Sequence, residues 1–373
     1  MQNKAKEIAV IVCFGLVIGG LLLACLITPD AEFSRSERRR LQSAPDFSVG
    51  KLLGGELFRE FEMYVPDQFV WRNAFRRLKA WGSLGLLHLK DNNGLYVVNG
   101  SINKIEEPLD TAAVLHAAAV LNGISRQYFP DNNVYYAVIP DKNYFAAASG
   151  GRPALNYDRL RETLAENTVG LEYIDLFPSL DLNAYYRTDI HWRQERIVGV
   201  ADKLLVGMEN EVRVSDEQYL KRELYPFYGS YYGQAALRTE PDTLRFLTNS
   251  ALENAAVIDH QSGTVGSVYE IGKFGGMDSY DVFLAGAKPL LTVENPACPT
   301  DRELILFRDS FGSSIAPLLL AGYARIILID LRYVSAAVLD DYVEFSSGQD
   351  VLFLYSALVL NNSRMLKWQP EWN

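Results

Sequence analysis

The chain opens on an uncharged apolar run, Ile8 to Ile27. About twenty such residues suffice to cross a ~30 Å hydrocarbon core as a helix. Residues 30–55 turn polar and then Gly-rich ("SVGKLLGGE"), the pattern of a membrane-proximal stalk. Between residues 56 and 90 apolar positions recur at spacings of three and four, which predicts helix interrupted at Pro66. "DNNGLYVVNGSINKIEE" sets a short β-branched run between two turn signals and predicts a hairpin.

From Asp110 the rhythm becomes alternating. "DTAAVLHAAAVLNGISRQYF" predicts a helix capped by Asp110 or Thr111. "NVYYAVIP" predicts a strand, "NYDRLRETLAEN" a helix and "GLEYIDL" a strand. "TDIHWRQERIVGVADKLLVGM" predicts a helix from Thr188 or Asp189 to about Met208. Residues 211–300 break the alternation with glycine-punctuated, β-rich segments, the signature of an inserted antiparallel piece. Strand and helix return in "ELILFRD", "SFGSSIAPLLLAGY", "ARIILID", "SAAVLDDYVEFSS" and "DVLFLYSALV". Strands alternating with helices predict a parallel sheet covered on both faces. The expected domains are an anchor at 1–29, a stalk and amphipathic helical lead-in at 30–90, and an α/β domain at 91–373 carrying the insertion at about 211–300.

Composition adds exclusions. With 49% apolar and 22% charged residues the chain has an ordinary globular balance. A net charge of -10, with nothing that builds a basic stripe, argues against a nucleic-acid partner. Cys13 and Cys25 fall inside the apolar run and leave Cys298 alone. No intrachain disulfide is expected outside the membrane, and no Cys/His spacing suits a metal.

The apolar run is longer than the core of a cleaved signal peptide and has no small-residue exit site. It predicts a single-pass anchor in the cell membrane with the body outside the cytoplasm. Lys4 and Lys6 precede it and "RSERRR" follows it, so flanking charge alone leaves the orientation open. "LLAC" offers lipoprotein processing at Cys25 as a rival, although Leu26 and Ile27 continue the apolar run beyond that cysteine.

Only four histidines occur, and only one has an acidic residue two positions earlier: Asp189-Ile190-His191. The strand "LILF" runs into Arg308-Asp309-Ser310 and then a helix. In an open α/β sheet, sites form beyond the carboxyl ends of the strands. A serine there stands at a helix N-terminus, where N–H groups favour an oxyanion. Ser310 is thus the candidate nucleophile. His191 is the candidate base, since an imidazole with an ordinary pKa near ~6.5 accepts protons at neutral pH. Asp189 is the group that would fix the imidazole tautomer. A position in the first helical turn would help keep His191 neutral. The bland readings are an N-cap for Asp189, a surface histidine, and a helix cap for Ser310.

"TDIHW" followed by "RDSFGSS" resembles the DHHW family and the related alginate O-acetyltransferases of the AlgX/AlgJ group. "DQFVWRNAF", "IPDKN", "FYGSYYG" and "IDLRYV" fit the same pattern more loosely, so the resemblance covers the chain from about residue 60. It implies a three-layer α/β/α fold similar to the SGNH hydrolases in permuted order, with Asp and His before Ser. It implies O-acetyl transfer to, or removal from, an extracellular polysaccharide, with a membrane-bound O-acyltransferase as acyl donor and no cofactor or metal. This chain departs from the pattern at Ile190, where the family has histidine, and at Arg308, where glycine usually precedes Asp-Ser. Gly229 and Ser230 in "FYGS" and Asn143 in "IPDKN" are candidates for further oxyanion donors. Arg332 and Tyr333 are candidates for substrate contact. A turn explains the first three equally well, and a salt bridge explains Arg332. The alternative function is a catalytically inactive, anchored polysaccharide-binding or assembly protein. A serine protease is a distant third reading.

Overall fold

The structure is a computed structural model that describes residues 2–368. It divides into two compact units. The first comprises the N-terminal residues to Asn92 with Gly233–Arg238; the second comprises Asn93–Tyr232 with the residues from Thr239 onward.

In the first unit the apolar run lies within α1 (Gln2–Ile27), of which Lys4–Ile27 is long and apolar enough to cross a membrane. A two-stranded ribbon follows, β1 (Phe33–Ser34) with β2 (Arg39–Arg40). Then come α2 (Val49–Leu53), α3 (Glu56–Gln68) and α4 (Arg72–Ala80). Pro66 is tolerated near the end of α3, and the helical path stops two residues beyond it.

The second unit starts with the expected hairpin, β3 (Leu95–Val98) and β4 (Ser101–Lys104). Its turn residues Asn99 and Gly100 have φ of 51° and 75°. Two left-handed residues match the strand twist, which is why Asn-Gly forms this turn. Next come α5 (Thr111–Tyr128), β5 (Val134–Ile139), α6 (Lys142–Gly150), α7 (Tyr157–Asn167), β6 (Leu171–Ile174) and α8 (Val198–Gly207). An antiparallel pair, β7 (Leu220–Phe227) and β8 (Asp242–Thr248), brackets α9 (Ser230–Ala235), whose last three residues belong to the first unit. After α10 (Ser250–Asn254) come β9 (Ala256–Asp259), β10 (Thr264–Gly266), β11 (Leu290–Glu294) and β12 (Glu303–Arg308). The chain closes with α11 (Gly312–Leu319), β13 (Arg325–Ile329), β14 (Asp350–Ser356) and α12 (Ala357–Leu360).

Eight strands form one sheet in the order β10-β9-β11-β13-β12-β14-β5-β6. The five from β13 to β6 are parallel; β9, β10 and β11 join antiparallel. Four of the parallel strands, β13, β12, β14 and β5, are buried on both faces, while the edge strand β6 buries only Ile174 fully. In β12, Leu304 and Leu306 face the core that holds α8 and α11, while Ile305 and Phe307 face the core that holds α5 and α7. Each such side chain contributes about 1.5–3 kcal/mol by leaving water. The result is the three-layer α/β/α architecture.

Two expected helices differ. Residues 188–193 are not helical, Gln194–Arg196 make a single 3₁₀ turn, and α8 begins only at Val198. The backbone here folds as a hairpin-like turn, with Tyr186 N–H donating to His191 O (3.1 Å) and Arg193 N–H to Ala184 O (2.7 Å). The Asp189 carboxylate accepts the N–H of His191 at 3.0 Å, a local bond that competes with helix. Asp189 is therefore not a helix cap, and no helix dipole acts on His191. The stretch "SAAVLDDYVEFSS" forms only a 3₁₀ segment, Ala336–Asp341. Its paired aspartates sit where the negative end of a helix dipole would oppose them. The last strand stops at Ser356, whose hydroxyl caps α12 through the Val359 N–H at 3.3 Å.

Candidate active site

The parallel strand β12 ends at Arg308 and the chain turns at once. Asp309 shapes this turn: Oδ1 accepts the Phe311 N–H at 3.0 Å, and Oδ2 accepts the Ser356 N–H from the end of β14 at 2.8 Å. Ser310 is thereby held at the carboxyl rim of the sheet, two residues before α11.

The turn of residues 186–191 brings its side chains to the same place. His191 Nε2 lies 2.8 Å from Ser310 Oγ, and His191 Nδ1 lies 2.6 Å from Asp189 Oδ1. An ionised carboxylate only accepts, so Nδ1 carries the proton and Nε2 is left to accept from the serine hydroxyl. Both distances fall within general-base range. Asp189 is fully buried, and its other oxygen accepts the Ser230 N–H at 2.6 Å.

Packing fixes the imidazole plane. The ring stacks on Tyr280 with centroids 3.8 Å apart and planes at 5°. Tyr280 donates its hydroxyl to Ser314 Oγ at 2.7 Å, and Trp192 Nε1 donates to the same atom at 2.8 Å. Ser314 belongs to α11, so the tryptophan beside the histidine is tied to the helix that follows the serine. Burial pushes the Tyr280 hydroxyl well above its ordinary pKa and keeps it a donor.

The remaining candidates separate. The Gly229 N–H donates to Thr188 Oγ1 at 3.0 Å, and the Ser230 N–H serves Asp189, so both amides brace the loop rather than face an oxyanion. The Ser230 hydroxyl is buried and has no hydrogen-bond partner among the described residues. Asn143 is buried away from solvent: it accepts from Tyr96 Oη at 2.6 Å and donates to Pro153 O at 3.0 Å. Arg332 makes a two-pronged pair with Asp330 at 2.9 and 2.7 Å, and Tyr333 is half exposed beside it. Arg308 is fully buried; it donates to Asp309 O at 3.3 Å and lies 3.7 Å from Asp330. It braces the serine turn through the Asp309 carbonyl and is closed off from solvent. Burial pushes its guanidinium below the ordinary value.

Gly229 fits because nothing else does. A Cβ there would lie 2.3 Å from Asp189 Cβ and 2.4 Å from Asp189 Cα. Gly229→Ala is therefore expected to displace the aspartate and lower kcat about 10–100-fold, because misplacement by ~1 Å costs about that much. Steady-state kinetics on a variant with unchanged circular dichroism checks it.

Sequence reasoning missed the supports of this loop. Asp242 accepts from Thr188 N at 2.8 Å and Thr188 Oγ1 at 2.7 Å. Lys142 is buried and donates toward the carbonyls of Ile102 (2.5 Å), Tyr186 (2.8 Å), Arg187 (3.1 Å) and Asp189 (3.1 Å). A lysine after a strand–proline end was a visible signal; Asp242, Tyr280 and Ser314 gave none.

Lys142→Met strips that donor from the carbonyls, which is expected to cost roughly 3 kcal/mol at about 1–3 kcal/mol per orphaned buried group. Burial pushes the Lys142 amine down to about 7. An unfolded lysine keeps its proton to about 10.4. Between these values the unfolded state binds more protons, so stability rises with pH above about 7. Urea titrations between pH 7 and 9 should show that rise in the wild type and a flatter dependence in the variant.

Solved structures share this fold. A DHHW family protein from Eubacterium siraeum is 19% identical, covering 74% of this chain and 95% of its own, with a TM-score of 0.60. Bacillus cereus PatB1 is 16% identical, covering 72% and 97%, with a TM-score of 0.58. The same protein with a sulfonyl adduct is 15% identical, covering 73% and 99%, with a TM-score of 0.56. No protein-family model and no curated protein sequence matches the chain.

Proposed function

We propose that this chain is a membrane-anchored, extracytoplasmic, serine-dependent O-acetyltransferase or acetylesterase that acts on a cell-surface or secreted polysaccharide through an acyl-serine intermediate. The observation that carries the reading is the continuous line of hydrogen bonds from Asp189 through His191 to Ser310. The polysaccharide and acetyl classes rest on the resemblance of "TDIHW" and "RDSFGSS" to the DHHW and alginate O-acetyltransferase sequences. The anchor rests on the helix Lys4–Ile27. Residues 1–29 are assigned to the anchor, 30–90 to the lead-in, and 91–373 to the catalytic domain with its insertion at about 211–300.

The chemistry follows from the geometry. Ser310 Oγ attacks the acyl carbonyl while His191 Nε2 takes its proton. Asp189 stabilises the imidazolium without becoming protonated. The Ser310 N–H and the Ser230 hydroxyl are the proposed donors to the oxyanion. Collapse returns the His191 proton to the leaving oxygen and leaves an acyl ester on Ser310. A sugar hydroxyl then gives its proton to His191 and attacks that ester; the acyl–Oγ bond breaks and His191 returns the proton to Ser310 Oγ, restoring the serine. Water in place of the sugar makes the same cycle an esterase. A membrane-bound O-acyltransferase is the proposed acyl donor.

With p-nitrophenyl acetate, the full-length chain in detergent is expected to release a burst of nitrophenolate stoichiometric with protein. Oligosaccharide acceptors should then speed the steady phase and gain acetyl groups. A burst with free acetate only would assign the esterase; release no faster than in buffer would favour the binding or assembly role.

A further inference from the structure

The segment from Trp71 to Lys90, "WRNAFRRLKAWGSLGLLHLK", stands apart from the rest of an acidic chain: it holds five Lys or Arg residues and no Asp or Glu. It is also strongly apolar at its surface. Trp71 is 65% exposed, Trp81 60% and Leu87 65%, with Phe75 and Leu78 exposed beside them. Trp71, Phe75 and Leu78 follow the spacing of one helical face through α4. Arg72 and Arg76 turn back toward Glu37, while Arg77 and Lys79 are exposed next to the apolar row.

Its place in the unit matters as much as its composition. The end of α3 is tied to the residues just beyond the apolar helix. Gln68 accepts from Ala31 N at 2.9 Å and donates to Ala31 O at 3.0 Å, and Tyr64 donates to Asp30 at 3.0 Å. Trp71 lies three residues further on, within about 11 Å along the chain. A basic, Trp-bearing apolar face this close to the end of a membrane span matches the headgroup layer, where Trp rings and cationic side chains gather.

We propose that residues 71–90 form a second membrane contact, lying in the interface of the leaflet at the exit of the span and preferring anionic lipid. This rests on the anchor reading above and goes beyond it. Its consequence is that the lead-in is fixed to the lipid surface and does not act as a free tether.

The test uses the full-length chain in vesicles of phosphatidylcholine with phosphatidylglycerol. Trp71 and Trp81 are exposed, whereas Trp192 is fully buried. Lipids brominated on their acyl chains should quench the tryptophan emission, and the double variant Trp71→Phe/Trp81→Phe should reduce that quenching about two-fold or more. Arg77→Glu with Lys79→Glu should reduce it in anionic vesicles and change it little in pure phosphatidylcholine. Equal quenching in wild type and double variant overturns the proposal, as does protection of both tryptophans from bromolipid and aqueous acrylamide, which would mean a protein cover. A chain that floats with vesicles while Trp71 and Trp81 stay open to acrylamide keeps the anchor and loses this contact. A chain that does not float removes both.

Discussion

Ser310→Ala should remove nitrophenyl ester turnover by roughly 10⁴-fold or more in kcat, the scale of losing a triad nucleophile. The loss belongs to chemistry rather than folding. The serine hydroxyl meets His191, whereas the turn is held by the Asp309 carboxylate and the Phe311 and Ser356 amides, all of which remain. The variant should melt within about 1 kcal/mol of the wild type, as truncations free of cavities and buried orphans do. Ser310→Ala combined with His191→Ala should be no slower than either alone, because the two act as one device. Equal rates in wild type and Ser310→Ala would assign the protein to polysaccharide binding or assembly.

Asp189→Asn should cost about 10³–10⁴ in kcat with little change in KM, the pattern of a triad whose tautomer is wrong. The local geometry explains why an asparagine cannot be accommodated by a flip. One carboxylate oxygen accepts from both the His191 N–H and Nδ1, and the other accepts from the Ser230 N–H. An asparagine with its oxygen toward His191 turns its NH₂ against the Ser230 N–H. With the oxygen toward Ser230, the NH₂ meets the His191 N–H and forces the proton off Nδ1. Either arrangement sets donor against donor in a buried site. Measuring kcat and KM separately for this variant and for Gly229→Ala distinguishes a wrong tautomer from a shifted loop.

What could be read from the sequence follows the reach of each interaction. β12 and β14 are local apolar runs, and the Asn99-Gly100 turn is set by two residues, so pattern alone identified them. The Asp-x-His pair and the strand–Asp–Ser turn were legible because each is a short motif. The sheet places them together across 119 residues of separation. The backbone at residues 188–197 was misread because its conformation is decided from outside. Asp242, Lys142 and the Ser230 amide, distant in sequence, bind the Thr188 N–H, the Asp189 carbonyl and the Asp189 carboxylate and so hold the turn. Tyr280 and Ser314 were invisible for the same reason: a tyrosine in a glycine-rich insertion and a serine in a helix acquire meaning only when the imidazole and indole lie against them.

The central claim is that Ser310 is a nucleophile activated by His191, and covalent labelling tests it most directly. Phenylmethylsulfonyl fluoride reacts when a serine oxygen displaces fluoride from sulfur, forming S–O, breaking S–F and releasing the proton through the base. Intact-mass and peptide mapping of the treated full-length chain should find one sulfonyl group, on Ser310, with a labelling rate that falls about 100-fold or more in His191→Asn, the usual worth of a general base. Modification at another residue, or an undiminished rate without the imidazole, would contradict it.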